Sequence, residues 1–131
     1  MLTSLNFGGL APQWMICDYG IKTFFSSLGF AVFKRSPDSF LFSLVNPSGL
    51  SPTKMLLKSG EEGYAIYCES GFGPIFGNCH DLCIVSKPNS NDCSVGLNKS
   101  YQCPTGQNAA TFLTGNQNFL INEMEVFGFE Q

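Results

Sequence analysis

The 131-residue sequence has few charged residues and no long apolar run. Asp, Glu, Lys and Arg make up 13% of the chain, about half the usual share, which excludes coiled coils and long solvated helices. The longest strongly apolar stretch, residues 24–33, falls well short of the ~20 residues of a membrane span. The seven Lys and Arg residues are scattered and the net charge is −3, whereas nucleic-acid binding needs clustered cations. We therefore expect neither membrane insertion nor a nucleic-acid partner.

The first 16 residues also lack the basic start of a secretory signal peptide. This favours a cytoplasmic protein with six reduced thiols. They are Cys17, Cys68, Cys79, Cys83, Cys93 and Cys103. Because the number of Cys is even, a secreted, disulfide-linked binding module stays open as an alternative.

Aromatic residues and turn formers are abundant, with 13 Phe, 4 Tyr, 14 Gly and 7 Pro. Residues 1–37 are poorly patterned, whereas apolar runs separated by turns follow in residues 38–131. Strands are predicted over residues 40–45, 54–58, 64–68, 82–85 and 119–129, with a short edge segment over 100–102. This spacing is typical of a mainly β protein, an antiparallel β-sandwich with at most one or two short helices.

Residues 70–77 are rich in glycine, and the sequence predicts a loop there. A dinucleotide-binding loop has the pattern G-x-G-x-x-G between a strand and a helix. Here Pro74 lacks an N–H that would hold phosphate, and residues 80–85 are predicted to be a strand. The expected role of the glycines is structural, and no cofactor is expected.

Cys79, His80 and Cys83 form the densest group of reactive residues. An extended backbone over 79–83 would separate the two Cys by about 13 Å, too far for two thiolates on one zinc ion. A thiol-based redox protein or Cys/His enzyme using these three residues remains an alternative. His80, the only His, is otherwise expected to bond a carbonyl group or Asp81.

Several segments, in this order, resemble the C-terminal half of the TLDc domain. They are residues 40–46 (FLFSLVN), 73–84 (GPIFGNCHDLCI), 100–101 (SY), 112–115 (FLTG), 119 and 123–127 (EMEVF). The resemblance covers about residues 38–129, and it implies an antiparallel β-sandwich. Residues 1–37 do not match the N-terminal half of that domain. We therefore expect an incomplete or divergent sandwich, whose exposed sheet edge favours self-association.

The resemblance also carries expectations about function. TLDc proteins are associated with protection against oxidative stress, several bind the vacuolar proton pump, and the family has no accepted catalytic site. The resemblance thus implies a non-catalytic protein-interaction module with a protein partner, such as pump subunits. The residues that match the family's loop and strand are Gly73, Pro74, Phe76, Gly77, His80 and Asp81. They are expected to shape an interaction surface.

Overall fold

The computed structural model describes residues 2–6, 14–17, 32–69 and 72–127, which form eleven strands. The strands are β1 (Leu2–Asn6), β2 (Trp14–Cys17), β3 (Val32–Lys34), β4 (Phe40–Ser43), β5 (Thr53–Leu56), β6 (Ile66–Cys68), β7 (Phe72–Phe76), β8 (Leu82–Val85), β9 (Cys93–Val95), β10 (Asn118–Phe119) and β11 (Glu123–Phe127). A single 3₁₀ turn, Glu62–Tyr64, is the one helical element in these ranges. Accordingly, no described helix has the length and apolar character to cross a membrane.

The strands form two antiparallel sheets. Sheet A has five strands in the order β11-β1-β2-β4-β5, and sheet B has six in the order β10-β9-β8-β7-β6-β3. β1 and β2 come from the segment with little sequence pattern, and they lie at the centre of sheet A between β11 and β4. The mainly β, antiparallel fold that the sequence predicts is confirmed.

Both sheets contribute side chains to one core. Leu41 and Met55 come from sheet A, and Ile66, Phe76 and Ile84 come from sheet B, all of them buried in the same cluster. In β4 the core side chains alternate with half-buried Phe side chains, as the two-residue period of a strand requires. The two sheets therefore pack face to face as a β-sandwich.

The prediction of a loop over residues 70–77 is wrong for residues 72–76. Residues 72–76 form β7, which pairs with β6 and β8 inside sheet B. The pairing with β8 shifts register between Phe72 and Ile75, so Gly73 and Pro74 occupy an irregularity in the ladder. Proline lacks the N–H that a regular ladder uses, and such irregularities are where a sheet admits it.

The single strand predicted over residues 119–129 is also wrong. β10 ends at Phe119 in sheet B, and β11 begins at Glu123 in sheet A, so the chain crosses between the sheets. Ile121 lies in the crossing, where its side chain is buried and its N–H donates to the carbonyl of Pro88 at 2.8 Å. Residues 128 and 129 lie outside the described residues.

The other predicted strands are found in the structure, and some of them have different ends. The strand over 82–85 is confirmed with the predicted bounds. The strand predicted over 64–68 begins later, at Ile66, because residues 62–64 form the 3₁₀ turn. The predicted edge segment over 100–102 is a single antiparallel bridge between Tyr101 and Leu57, which extends pairing beyond the end of β5.

Candidate functional site

The glycine-proline pair of the family-like segment is explained by close contact between β7 and β8. A Cβ atom built on Gly73 would lie 2.7 Å from the backbone carbonyl oxygen of Ile84, so no larger residue fits without movement. Pro74 is buried beside it, in the stretch where the ladder is irregular. These two residues thus set the register of the strand that leads into the 77–80 turn.

The 77–80 turn has the backbone geometry that glycine favours. Gly77 has a φ of +88°, and its N–H donates to the carbonyl oxygen of Ala65 at 3.1 Å. A Cβ atom at Gly77 would lie 2.1 Å from Oδ1 of Asp81, so the missing side chain makes room for that carboxylate. The N–H of His80 donates to the carbonyl oxygen of Gly77 at 3.1 Å and closes the turn.

Asp81 is fully buried, and its carboxylate joins the 77–80 turn to a distant segment of chain. Backbone N–H groups of Lys99, Ser100 and Tyr101 donate to Oδ2 at 3.1, 3.1 and 3.0 Å, and the N–H of Ser100 also lies 3.0 Å from Oδ1. Burial raises the pKa of Asp81, and the three N–H groups offset that rise only in part. The carboxylate is thus occupied by backbone partners.

Ser100 and Tyr101 extend this network. The Ser100 hydroxyl donates to Oε2 of Glu61 and accepts the N–H of Asn78, both at 2.8 Å. The buried Tyr101 hydroxyl donates to the carbonyl oxygen of Ala65 at 2.9 Å. We name the group of Glu61, Gly77, Asp81, Ser100 and Tyr101 the Asp81 network.

His80 lies at the exposed tip of the same turn. Its φ of +58° is uncommon for a residue with a side chain, and its ring centroid lies 5.3 Å from that of Tyr67. The ring of Phe33 continues the row, 4.8 Å from Tyr67 and 5.1 Å from Tyr64. The pKa of Tyr67 is raised mainly by partial burial, and to a smaller extent by the charge and the hydrogen bond of Glu69. We name this row, Tyr64, Phe33, Tyr67 and His80, the aromatic row.

The comparison with a dinucleotide-binding loop also predicts extended backbone at residues 80 and 81, but both precede β8, and residues 77–80 are a turn. The extended geometry assumed for residues 79–83 is therefore wrong, and the separation of about 13 Å no longer applies. Within the described residues, no three His, Cys, Asp or Glu side chains come together to hold a metal ion.

The thiols of this region differ in environment. Cys79 is exposed on the turn, whereas Cys83 is buried in β8, and both are free. The pKa of the Cys83 thiol is raised mainly by burial, and to a smaller extent by electrostatic interaction with Cys93 and Glu69. Reactive thiols require the opposite shift, so Cys83 has the character of a packed apolar side chain. Cys93 is likewise buried and free, and burial raises its pKa as well.

The comparison with known proteins identifies the family. The family model of the TLDc domain matches residues 22–130. The chain belongs to the TLDc domain family. The match begins before residue 38, where the resemblance drawn from the sequence begins, and so includes β3. No curated protein and no solved structure matches the chain.

The six residues singled out in the sequence of this TLDc chain lie in one continuous segment. Gly73, Pro74, Phe76, Gly77 and Asp81 are inside the fold or pressed against it, and His80 alone is exposed. The sequence gives no indication of Glu61, and it indicates Ser100 and Tyr101 only as part of an edge segment and as a dipeptide that matches the family. Ser100 and Tyr101 could be found from the sequence through their place in the family pattern, but that pattern does not show that they contact Asp81.

Proposed function

We propose that this TLDc chain is a non-catalytic protein-interaction module that docks on a partner protein through the 77–80 turn and the aromatic row. The observation that carries the proposal is the Asp81 network. Its one buried carboxylate accepts three backbone N–H groups, and its two buried hydroxyl groups bond a carboxylate and a carbonyl group. These polar groups hold the backbone in shape, while His80 faces solvent.

The composition of the surface supports this proposal. Tyr64 is 40% exposed, Phe33 and Tyr67 are half-buried, and His80 is exposed. Aromatic side chains are enriched in the centres of protein interfaces because they bury a large area with little conformational entropy loss. The ring contacts within the row, and the hydrogen-bonded turn that carries His80, order these side chains before a partner arrives, which lowers the entropic cost of binding.

The partner class comes from the family. Several members of the TLDc family bind the vacuolar proton pump, and the family is associated with oxidative-stress protection. We propose a subunit of that pump, met in the cytoplasm, as the partner. The family supports this choice of partner, and the geometry supports only the surface that would meet it.

A binding experiment with a matched pair of variants tests the proposal. His80→Asn removes the ring, and Asn accepts the left-handed backbone better than most residues do. Lys87→Asn is the control, because Lys87 is exposed and has a similar φ of +55° in a different loop. Purified wild-type and variant chains would be assayed against soluble pump subunits by biolayer interferometry.

We expect wild type and Lys87→Asn to bind alike and His80→Asn to bind at least about fivefold more weakly, in line with the loss of ~1 kcal/mol or more at an interface. No binding by folded wild-type protein would contradict the proposed partner. Equal binding by all three chains would contradict the proposed surface.

A further inference from the structure

The chain contains two Ser-Pro pairs, and the two serines differ in accessibility. Ser36-Pro37 and Ser51-Pro52 are the only places in the sequence where Ser or Thr precedes Pro. Ser36 is 5% exposed, and its N–H donates to the carbonyl oxygen of Glu62 at 3.1 Å. Ser51 and Pro52 are both exposed, in the loop that joins β4 to β5. Only Ser51 is therefore open to an enzyme that modifies the folded chain.

Lys54 completes a kinase recognition pattern at the exposed pair. Proline-directed protein kinases accept Pro directly after the acceptor Ser, because Pro carries no N–H that would stay unpaired in their apolar pocket. Kinases of the cyclin-dependent class also favour a cation three residues after the acceptor, as part of the charge pattern that they read. Lys54 occupies that position after Ser51, whereas Ser39 occupies it after Ser36. Lys54 is exposed on β5, with its Nζ 3.7 Å from the centroid of the Phe40 ring.

The backbone at Ser51 can enter a kinase cleft with little unfolding. The buried Asn46 side chain fixes the preceding part of the loop, since it accepts the N–H of Leu50 at 3.1 Å and donates to the carbonyl oxygen of Leu50 at 3.0 Å. Ser51 and Pro52 follow these bonds, and β5 begins at Thr53 as the edge strand of sheet A. The end of an edge strand opens at low cost. A kinase can thus bind residues 51–54 in extended form with the bonds of Asn46 in place.

We propose that Ser51 is a phosphorylation site for a proline-directed protein kinase of the cyclin-dependent class. The Ser51 Oγ attacks the γ-phosphorus of Mg²⁺-bound ATP, the bond from that phosphorus to the departing ADP oxygen breaks, and the catalytic Asp of the kinase takes the hydroxyl proton. The proposal is independent of the proposed partner, which uses the 77–80 turn and the aromatic row.

The modification would change the character of the loop. Residues 39–53 contain no charged residue, and the loop presents three exposed aliphatic side chains, those of Leu44, Val45 and Leu50. A phosphate on Ser51 carries a charge of about −1.5 to −2 at neutral pH. It would therefore turn an uncharged, partly apolar surface into an acidic one.

Phosphorylation of the folded full chain by a purified cyclin-dependent kinase–cyclin complex with Mg²⁺-ATP tests the proposal. We expect one phosphate per chain, located on Ser51 by peptide mass spectrometry, and none on Ser36, which is buried. Ser51→Ala should abolish the uptake of phosphate. No uptake by folded wild type, under conditions that fully phosphorylate a reference peptide of the same pattern, would overturn the proposal. Phosphate on Ser36, Ser48 or Thr53 in place of Ser51 would overturn it as well.

Two further variants test how the kinase recognises the loop. Pro52→Ala should lower kcat/KM at least about tenfold and Lys54→Ala at least about fivefold, because each removes one part of the recognition pattern. Lys87→Ala is the matched control, since Lys87 is exposed in a different loop, and it should be phosphorylated like wild type. Circular dichroism would verify that all variants are folded. Equal kcat/KM values for wild type and either recognition variant would contradict the proposal.

Discussion

Replacing Asp81 by Ala removes the one acceptor that three backbone N–H groups share. Those of Ser100 and Tyr101 lie in buried surroundings, and that of Lys99 is partly buried. Alanine leaves all three without this partner, at a position where the wild-type side chain is fully buried. The segment over residues 99–101 and the 77–80 turn would then no longer be joined by a hydrogen bond from this side chain.

The magnitude follows from the number of orphaned donors. A buried N–H group left without an acceptor costs about 1–3 kcal/mol, and the two well-buried donors dominate. We therefore expect Asp81→Ala to lower the free energy of unfolding by about 3–5 kcal/mol, a large part of the ~5–15 kcal/mol of a typical domain. Asp81→Asn should cost only about 1–2 kcal/mol, because all three N–H groups reach Oδ2 and an amide oxygen can occupy that position.

Comparison of wild type with Asp81→Asn also separates the effect of the ionisable carboxyl group from that of the side-chain shape. Burial raises the pKa of Asp81 above its ordinary value of 3.8, so the folded state binds this proton more readily than the unfolded state does. The resulting stabilisation is complete below the ordinary pKa and is lost as the pH rises through the raised pKa of the folded state. The advantage of wild type over Asp81→Asn should therefore shrink as the pH rises above about 4.

Urea unfolding followed by circular dichroism at several pH values measures these differences. The m-value must stay constant for the stabilities to be compared. An Ala variant within about 1 kcal/mol of wild type would refute the reasoning, as would an Asn variant as unstable as the Ala variant. A wild-type advantage that grows with pH would refute the assigned direction of the pKa shift.

Three further variants or measurements test the surrounding structure. Gly77→Ala should destabilise the fold by at least about 2 kcal/mol more than Gly60→Ala, since both have φ near +90° but only Gly77 faces a carboxylate; equal urea midpoints would contradict this. Tyr101→Phe should cost about 1 kcal/mol, because the Ala65 carbonyl loses one of its two donors and keeps the N–H of Gly77, and an unchanged melting temperature would count against the bond. In native protein at neutral pH, iodoacetamide should label Cys79 well before Cys83, as read by peptide mass spectrometry; faster labelling of Cys83 would favour the thiol-enzyme alternative.

Local pattern predicts the strands of this chain where alternation is regular. β8 has the bounds that its apolar run indicates, and β4 covers most of the run over residues 40–45. β7 was missed because Gly73 and Pro74 ordinarily break strands. The register shift that accommodates both residues depends on the neighbouring strand, and a single segment of sequence does not reveal it.

The sequence indicates only the Asp81 part of the Asp81 network and not the residues that contact it. The family-like segment contains Asp81, but its partners lie about twenty residues further along the chain, and Glu61 lies about twenty residues before it. A contact at that separation depends on how β8 and the residues around Tyr101 pack together. The prediction of one strand over residues 119–129 failed for a related reason, since only the tertiary fold shows that Phe119 and Glu123 belong to different sheets.

Native-state hydrogen exchange at the amides of Ser100 and Tyr101 tests most directly whether the family-like segment serves as a structural frame. Both amides donate to the Asp81 carboxylate, so wild type should protect them at a level comparable with amides in β8, and Asp81→Asn should retain most of that protection. Asp81→Ala should release both amides while the β8 amides stay protected. Exchange of Ser100 and Tyr101 in folded wild type at the rate of an unstructured peptide would contradict the account.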